Sequence, residues 1–159
     1  MRTKTPYISS SSAIKGITDS ALAKSETNDC VVRAFAAAYN VSYDFAHKKV
    51  AELFGRKNGQ GTYCFSLVMR QMEMGGVRIN RKKVQTMRKD VNLAYWIKVK
   101  GVNTLRNMTT AKFLEDYSKG TYIVTVKGHA FAIKDGVVIG NPEDATQRKK
   151  VILGAWKIG

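Results

Sequence analysis

The sequence is poor in cysteine, in acidic residues and in long apolar runs, and each shortage removes a class of protein. Two cysteines, Cys30 and Cys64, are present. Two thiols are too few for a thiolate zinc site or a disulfide-stapled scaffold, so no metal, no organic cofactor and no structural disulfide are expected. The apolar runs fall well short of the roughly 20 residues a membrane-spanning helix needs, and no membrane span is expected. The N-terminus, MRTKTPYISSSSAIKG, carries charge but lacks the continuous apolar segment of a secretory signal. The expected location is the cytoplasm of the cell that makes the chain.

The shortage of acidic residues leaves a one-signed balance: 27 Lys and Arg against 12 Asp and Glu, a net charge of +15. Summed positive charge steers association with any polyanion and does not choose among them. Nucleic acid, an acidic protein surface or assembly into a larger particle are the partners it implies. The tract RINRKKVQTMRKD, residues 78–90, concentrates this charge, with Tyr95 and Trp96 close behind. Arg78, Arg81, Lys82, Lys83, Arg88 and Lys89 are therefore candidate polyanion contacts, tracking phosphates while the aromatics stack on bases. The plainer reading is an exposed basic loop over a core-packed Trp96. QRKK at 147–150 is a smaller patch of the same kind. No helix-turn-helix, zinc-finger or RNP-type motif accompanies either one.

A chain of 159 residues is about the size of one domain. Residues 1–24 read as a basic, Ser-rich arm, and 25–159 as one domain. Val31, Ala34, Phe35, Ala38 and Tyr39 recur at helical spacing and predict a buried helix face. A second helix follows, with Ser42 or Asp44 near its start, Ala46, Val50, Leu53 and Phe54 inward, and Gly55 ending it. His47, beside Lys48 and Lys49, is expected at its surface. TYCFSLVMRQMEMGG predicts a third helix, in which Cys64 is expected to be structural.

The second half changes period. GVRIN, AYWIKVKG, TYIVTV, HAFAIKDG, VVIGN and the final KKVILGAWKIG read as strands, and TTAKFLEDYSKG as a short helix capped by Thr109 or Thr110. Helices first and an antiparallel sheet afterwards is an α+β arrangement. Asp135-Gly136 between two strands is a hairpin signal, because a type I′ turn needs positive φ at both central residues. A tight turn there pairs residues whose numbers sum to about 271, which sets His129 almost opposite Asn141 or Pro142.

That pairing gives Cys30 a chemistry. A hydrogen bond from an amide oxygen to one ring nitrogen fixes an imidazole's tautomer and aims the other nitrogen at a nucleophile. Asn141 can do this for His129. Cys30, in SETNDCVVRAFAAAYN, opens a predicted helix, where unpaired backbone N–H groups and a protonated His129 favour its thiolate. Asp29 opposes this unless its carboxylate points away or caps the helix.

At NDCVVRA, GHAFAI and DGVVIGNP the sequence resembles the papain-like cysteine peptidases, in particular the short papain-like proteins common in bacteriophages. The resemblance covers roughly residues 24–142. It implies an N-terminal helical half, with a central Cys-bearing helix packed on the C-terminal sheet, and a thiol protease triad of Cys30, His129 and Asn141. Its substrate would be a peptide or protein, cleaved at a peptide or isopeptide bond in the host cytoplasm. The family usually places a glutamine about six residues before the cysteine as an oxyanion donor. Here that position is Lys24, so Asn28 or Lys24 is left for the role. The competing expectation is an inactive papain-like scaffold, a basic virion protein or one that lies against nucleic acid. Peptidase, deamidase and acyl-transferase chemistry share the same triad.

Overall fold

The computed structural model describes residues 5–61, 76–78 and 94–158. Tyr7–Ser9 (β1) leads into Ser10–Ala13 (α1), followed by Ala21–Ser25 (α2), Cys30–Tyr39 (α3) and Tyr43–Phe54 (α4). Gly76–Arg78 (β2) precedes the hairpin Ala94–Val99 (β3) and Val102–Asn107 (β4). Then come Thr110–Asp116 (α5), Thr121–Val126 (β5), His129–Lys134 (β6), Val137–Gly140 (β7), Pro142–Thr146 (α6) and Gly154–Ile158 (β8). The architecture is α+β, with a mixed six-stranded sheet of order β1-β7-β6-β5-β8-β2, and β3 and β4 pairing separately. The predicted third helix, Cys64, Arg81, Lys82, Lys83, Arg88 and Lys89 lie outside the described residues, and Arg78 is placed only as the end of β2.

Local chemistry sets the helix ends. Asn40 terminates α3 in the left-handed region at φ 55°, a conformation its short polar side chain tolerates. Two residues later Ser42 starts α4, its hydroxyl accepting a bond from the Phe45 N–H at 3.2 Å. Gly55 closes α4 at φ 68°. The buried face of α3, with Val31, Val32, Ala34 and Phe35, joins Ala46 and Val50 of α4. Helix α3 lies over the sheet, in one core with Ile123, Ala130 and Trp156, and α4 packs on α3. Phe113 of α5 packs with Tyr122, Val124, Phe131 and Ile133 in a second cluster. The central strands are therefore covered on both faces, which is why β5 and β6 read as nearly continuous apolar runs.

The predicted hairpin is present. Asp135 and Gly136 have φ of 47° and 78°, and β6 pairs with β7 through Ala132–Ile139, Ile133–Val138 and Lys134–Val137. Each pair sums to 271, the register expected from the turn.

Two expectations are corrected and one unforeseen strand is added. Within the expected arm of residues 1–24, residues 7–24 belong to the fold: β1 pairs in parallel with β7, which makes the sheet mixed rather than antiparallel, and Ile14 and Ile17 are each 5% exposed within the core. Burying such side chains is worth about 1.5–3 kcal/mol apiece, and the flanking serines obscure that signal. Residues 102–107, which carry weak strand patterning, form β4 through a turn at Lys100 and Gly101, both at positive φ. His47 is buried rather than at the surface, because the carboxylate of Glu26 accepts a hydrogen bond from it at 2.8 Å.

Candidate active site

Cys30 is the first residue of α3, so its backbone N–H belongs to the helix turn whose donors have no partner within the helix. It is half-buried and lines a cleft of about 240 Å³ with Asn28, Arg33, His129 and Asn141. The structure thus brings Cys30, His129 and Asn141 to one place from three separate segments. Asn28 joins them. Lys24, at the exposed end of α2, does not line the cleft.

Asn141 does not hold His129 in the way expected. Strand β7 stops at Gly140 and Pro142 opens α6, so the chain turns before Asn141 can continue the ladder. Asp144, one helical turn on, folds back over the helix start. Its Oδ2 accepts the Asn141 backbone N–H at 2.7 Å and a hydrogen bond from His129 Nε2 at 2.9 Å. The Asp144 side chain is 3% exposed. The partner of His129 is therefore an aspartate. Its sequence signal is Asn141-Pro142-Glu143-Asp144: a capping residue, a proline at the first helical position and a carboxylate three residues after the cap.

Gly140 permits this arrangement. A Cβ at that position would collide with Asp144 Oδ2 and lie 3.0 Å from Phe131 Cβ. Only a residue without a side chain lets the Asp144 carboxylate approach the end of the strand this closely.

With Nε2 committed to Asp144, Nδ1 is the ring nitrogen left for exchange with Cys30, which lines the same cleft. The hydrogen bond to Asp144, followed by one to Cys30, pushes the His129 pKa up to about 9 against the cost of burial. A buried carboxylate favours the imidazolium, as a cation beside a fixed anion must be favoured. His129 also stacks on Phe131, with ring centroids 5.9 Å apart.

Asp29 neither caps α3 with its side chain nor stands as an unpaired charge beside Cys30. Its Oδ2 accepts hydrogen bonds from Arg33 Nε at 3.1 Å and from the Tyr43 hydroxyl at 2.8 Å. Arg33 Nη1 continues the chain of bonds to Ser10 Oγ at 2.9 Å and Ser11 Oγ at 3.1 Å. Burial, followed by the Asp29 hydrogen bond, pushes the Tyr43 phenol upward, so it stays a donor. Sequence reasoning named Asp29 as a problem but not Arg33 and Tyr43, one helical turn and one helix away, as its resolution.

No helix among the described residues is long and apolar enough to cross a membrane. Comparison with protein-family models, with curated proteins and with solved structures found no match.

Proposed function

We propose that the chain is a small papain-like cysteine hydrolase, phage-encoded and acting in the host cytoplasm, that cleaves a peptide or isopeptide bond through a thioester. The observation that carries this reading is the relay in one cleft: Cys30 against His129, and His129 Nε2 against Asp144. Cys30 Sγ attacks the carbonyl carbon, the carbon–nitrogen bond breaks, and His129 gives its proton to the departing amine. His129 then takes a proton from water, whose oxygen attacks the thioester and releases the acid. Asp144 fixes the ring and stabilises its charged form. The Cys30 backbone N–H supplies one oxyanion donor, and Asn28, at the rim of the same cleft, supplies a second.

The test is intact-mass measurement after exposure to p-nitrophenyl acetate in the Cys64→Ala background. One transient acetyl group on Cys30 is expected, and it should be lost in His129→Ala. Acetylation that is absent, or the same in His129→Ala, contradicts the reading.

A second reading is a basic scaffold that lies against nucleic acid or within a particle. It is supported by a larger cleft of about 800 Å³ lined by Arg148, Lys149 and Lys150, with Thr109, Ala111, Thr146 and Gln147 completing its wall. Lys149→Glu with Lys150→Glu should then weaken binding to single-stranded DNA and flatten its salt dependence, while Cys30→Ala leaves binding intact.

A further inference from the structure

The segment immediately before Cys30 is fastened by a buried ionic cluster that the relay does not use. The Glu26 side chain is 3% exposed and that of Arg56 is 1% exposed. One Glu26 oxygen accepts hydrogen bonds from Arg56 Nη1 and from His47 Nε2, the latter at 2.8 Å. The other accepts the Gly59 backbone N–H at 2.7 Å. Burial works against the Glu26 charge, but the bonds from Arg56, Gly59 and His47 outweigh it and hold the carboxyl below its usual range. Arg56 Nη2 reaches on to the Thr27 carbonyl at 3.2 Å.

An ionic cluster this dry is costly to assemble and is weak evidence of stability for its own sake. Arg56 Nε is buried without a partner among the described residues, which adds to the cost. What the cluster does hold is position. It fastens the loop of residues 56–59 to residues 26–28, and the Gly59 carbonyl in turn accepts a bond from Asn28 Nδ2 at 3.1 Å. Asn28 sits in the left-handed region at φ 54°, which its short polar side chain tolerates, and the bond to Gly59 fixes which way its amide is held. Its amide carries a second N–H, and the residue lines the cleft at Cys30.

We propose that Glu26 is a positioning residue: its carboxylate, gripped by Arg56, His47 and Gly59, holds Asn28 at the cleft as the side-chain donor that completes the oxyanion site with the Cys30 backbone N–H. This rests on the thiol acyl-transfer reading above. The chain lacks the glutamine usual in proteins it resembles, and the device replaces reach from a distant side chain with a short amide on a clamped turn.

Two reactions of the same thiol separate this role from general support of the fold. With p-nitrophenyl acetate, a bond forms between Cys30 Sγ and the acetyl carbon, negative charge develops on the carbonyl oxygen, and p-nitrophenolate leaves. With iodoacetamide, Sγ displaces iodide from carbon and no oxyanion forms. In the whole chain carrying Cys64→Ala, Asn28→Ala should slow acetylation by about 100-fold or more and Glu26→Gln should slow it in the same selective way, with alkylation of Cys30 changed by less than about twofold. If Glu26→Gln does not fold, Glu26→Asp keeps the charge, draws the carboxylate back by one methylene and should give the same selective loss. Equal losses in both reactions, or no loss in Asn28→Ala, overturn the proposal while leaving the hydrolase reading in place. Wild-type acetylation no faster than in His129→Ala overturns the hydrolase reading and this proposal with it.

Discussion

Asp144 Oδ2 accepts a hydrogen bond from His129 Nε2 at 2.9 Å while also accepting the Asn141 backbone N–H at 2.7 Å. One buried carboxylate therefore both starts a helix and orients the imidazole that faces Cys30. The residue expected to orient the ring acts on the carboxylate instead.

Replacing the two candidates separately distinguishes them. Asp144→Asn removes the charge that most favours the imidazolium, so the His129 pKa should fall from about 9 toward the ordinary histidine range. Asn141→Ala should cost about 1 kcal/mol of stability as a lost cap and leave most of the pKa elevation. Imidazole resonances followed by NMR titration read both. An elevation that survives Asp144→Asn contradicts the assignment.

Gly140→Ala tests the close approach from the other side. Its methyl would displace Asp144 Oδ2 and crowd Phe131 Cβ, and overpacking of this kind costs about 1–3 kcal/mol. Acetylation of Cys30 should fall, because the displaced carboxylate no longer holds the His129 ring. A variant of wild-type stability and reactivity would show that the strand end relaxes freely.

The raised His129 pKa also makes stability depend on pH. Folded His129 titrates at about 9, against about 6.5 in an unfolded chain, so between those values the folded state holds the extra proton. Its contribution, on the order of 3 kcal/mol, is complete below about pH 6.5 and is lost as pH rises through the folded value. The difference in unfolding free energy between wild type and His129→Gln, followed by urea denaturation, should shrink across that window. A difference that is flat or grows with pH contradicts the pairing.

The N-terminal segment gives a further check. Ile17 is 5% exposed, so Ile17→Ala should cost about 2–4 kcal/mol in urea denaturation. A solvated arm would give a change near zero.

What the sequence revealed and concealed follows from the range of each interaction. The β6–β7 register was legible because a two-residue turn at Asp135-Gly136 fixes the pairing of the strands on either side of it, whereas the nearness of Cys30 to His129 was an expectation from the chemistry of a helix start and from the papain-like resemblance. Asp144 was not legible, because its place depends on the chain leaving the ladder at Gly140 and winding back through a helix start. The burial of Ile14 and Ile17 was hidden by serines: Ser10 and Ser20 are 2% and 4% exposed, polar residues inside because Ser10 accepts a hydrogen bond from Arg33 and Ser20 donates one to Asp44. His47 was misread for the same reason. Its two lysine neighbours mark the exposed side of α4, while its own partner, Glu26, lies 21 positions away.

The most direct test of the account is the rate of Cys30 alkylation by iodoacetamide against pH, in the Cys64→Ala background with and without His129→Ala. If Cys30 and His129 form the reactive pair, alkylation at about pH 6 should depend on the imidazole. In His129→Ala the rate at that pH should drop by about 10-fold or more. A pH profile that matches an ordinary thiol and ignores His129→Ala would contradict the relay, and the hydrolase reading with it.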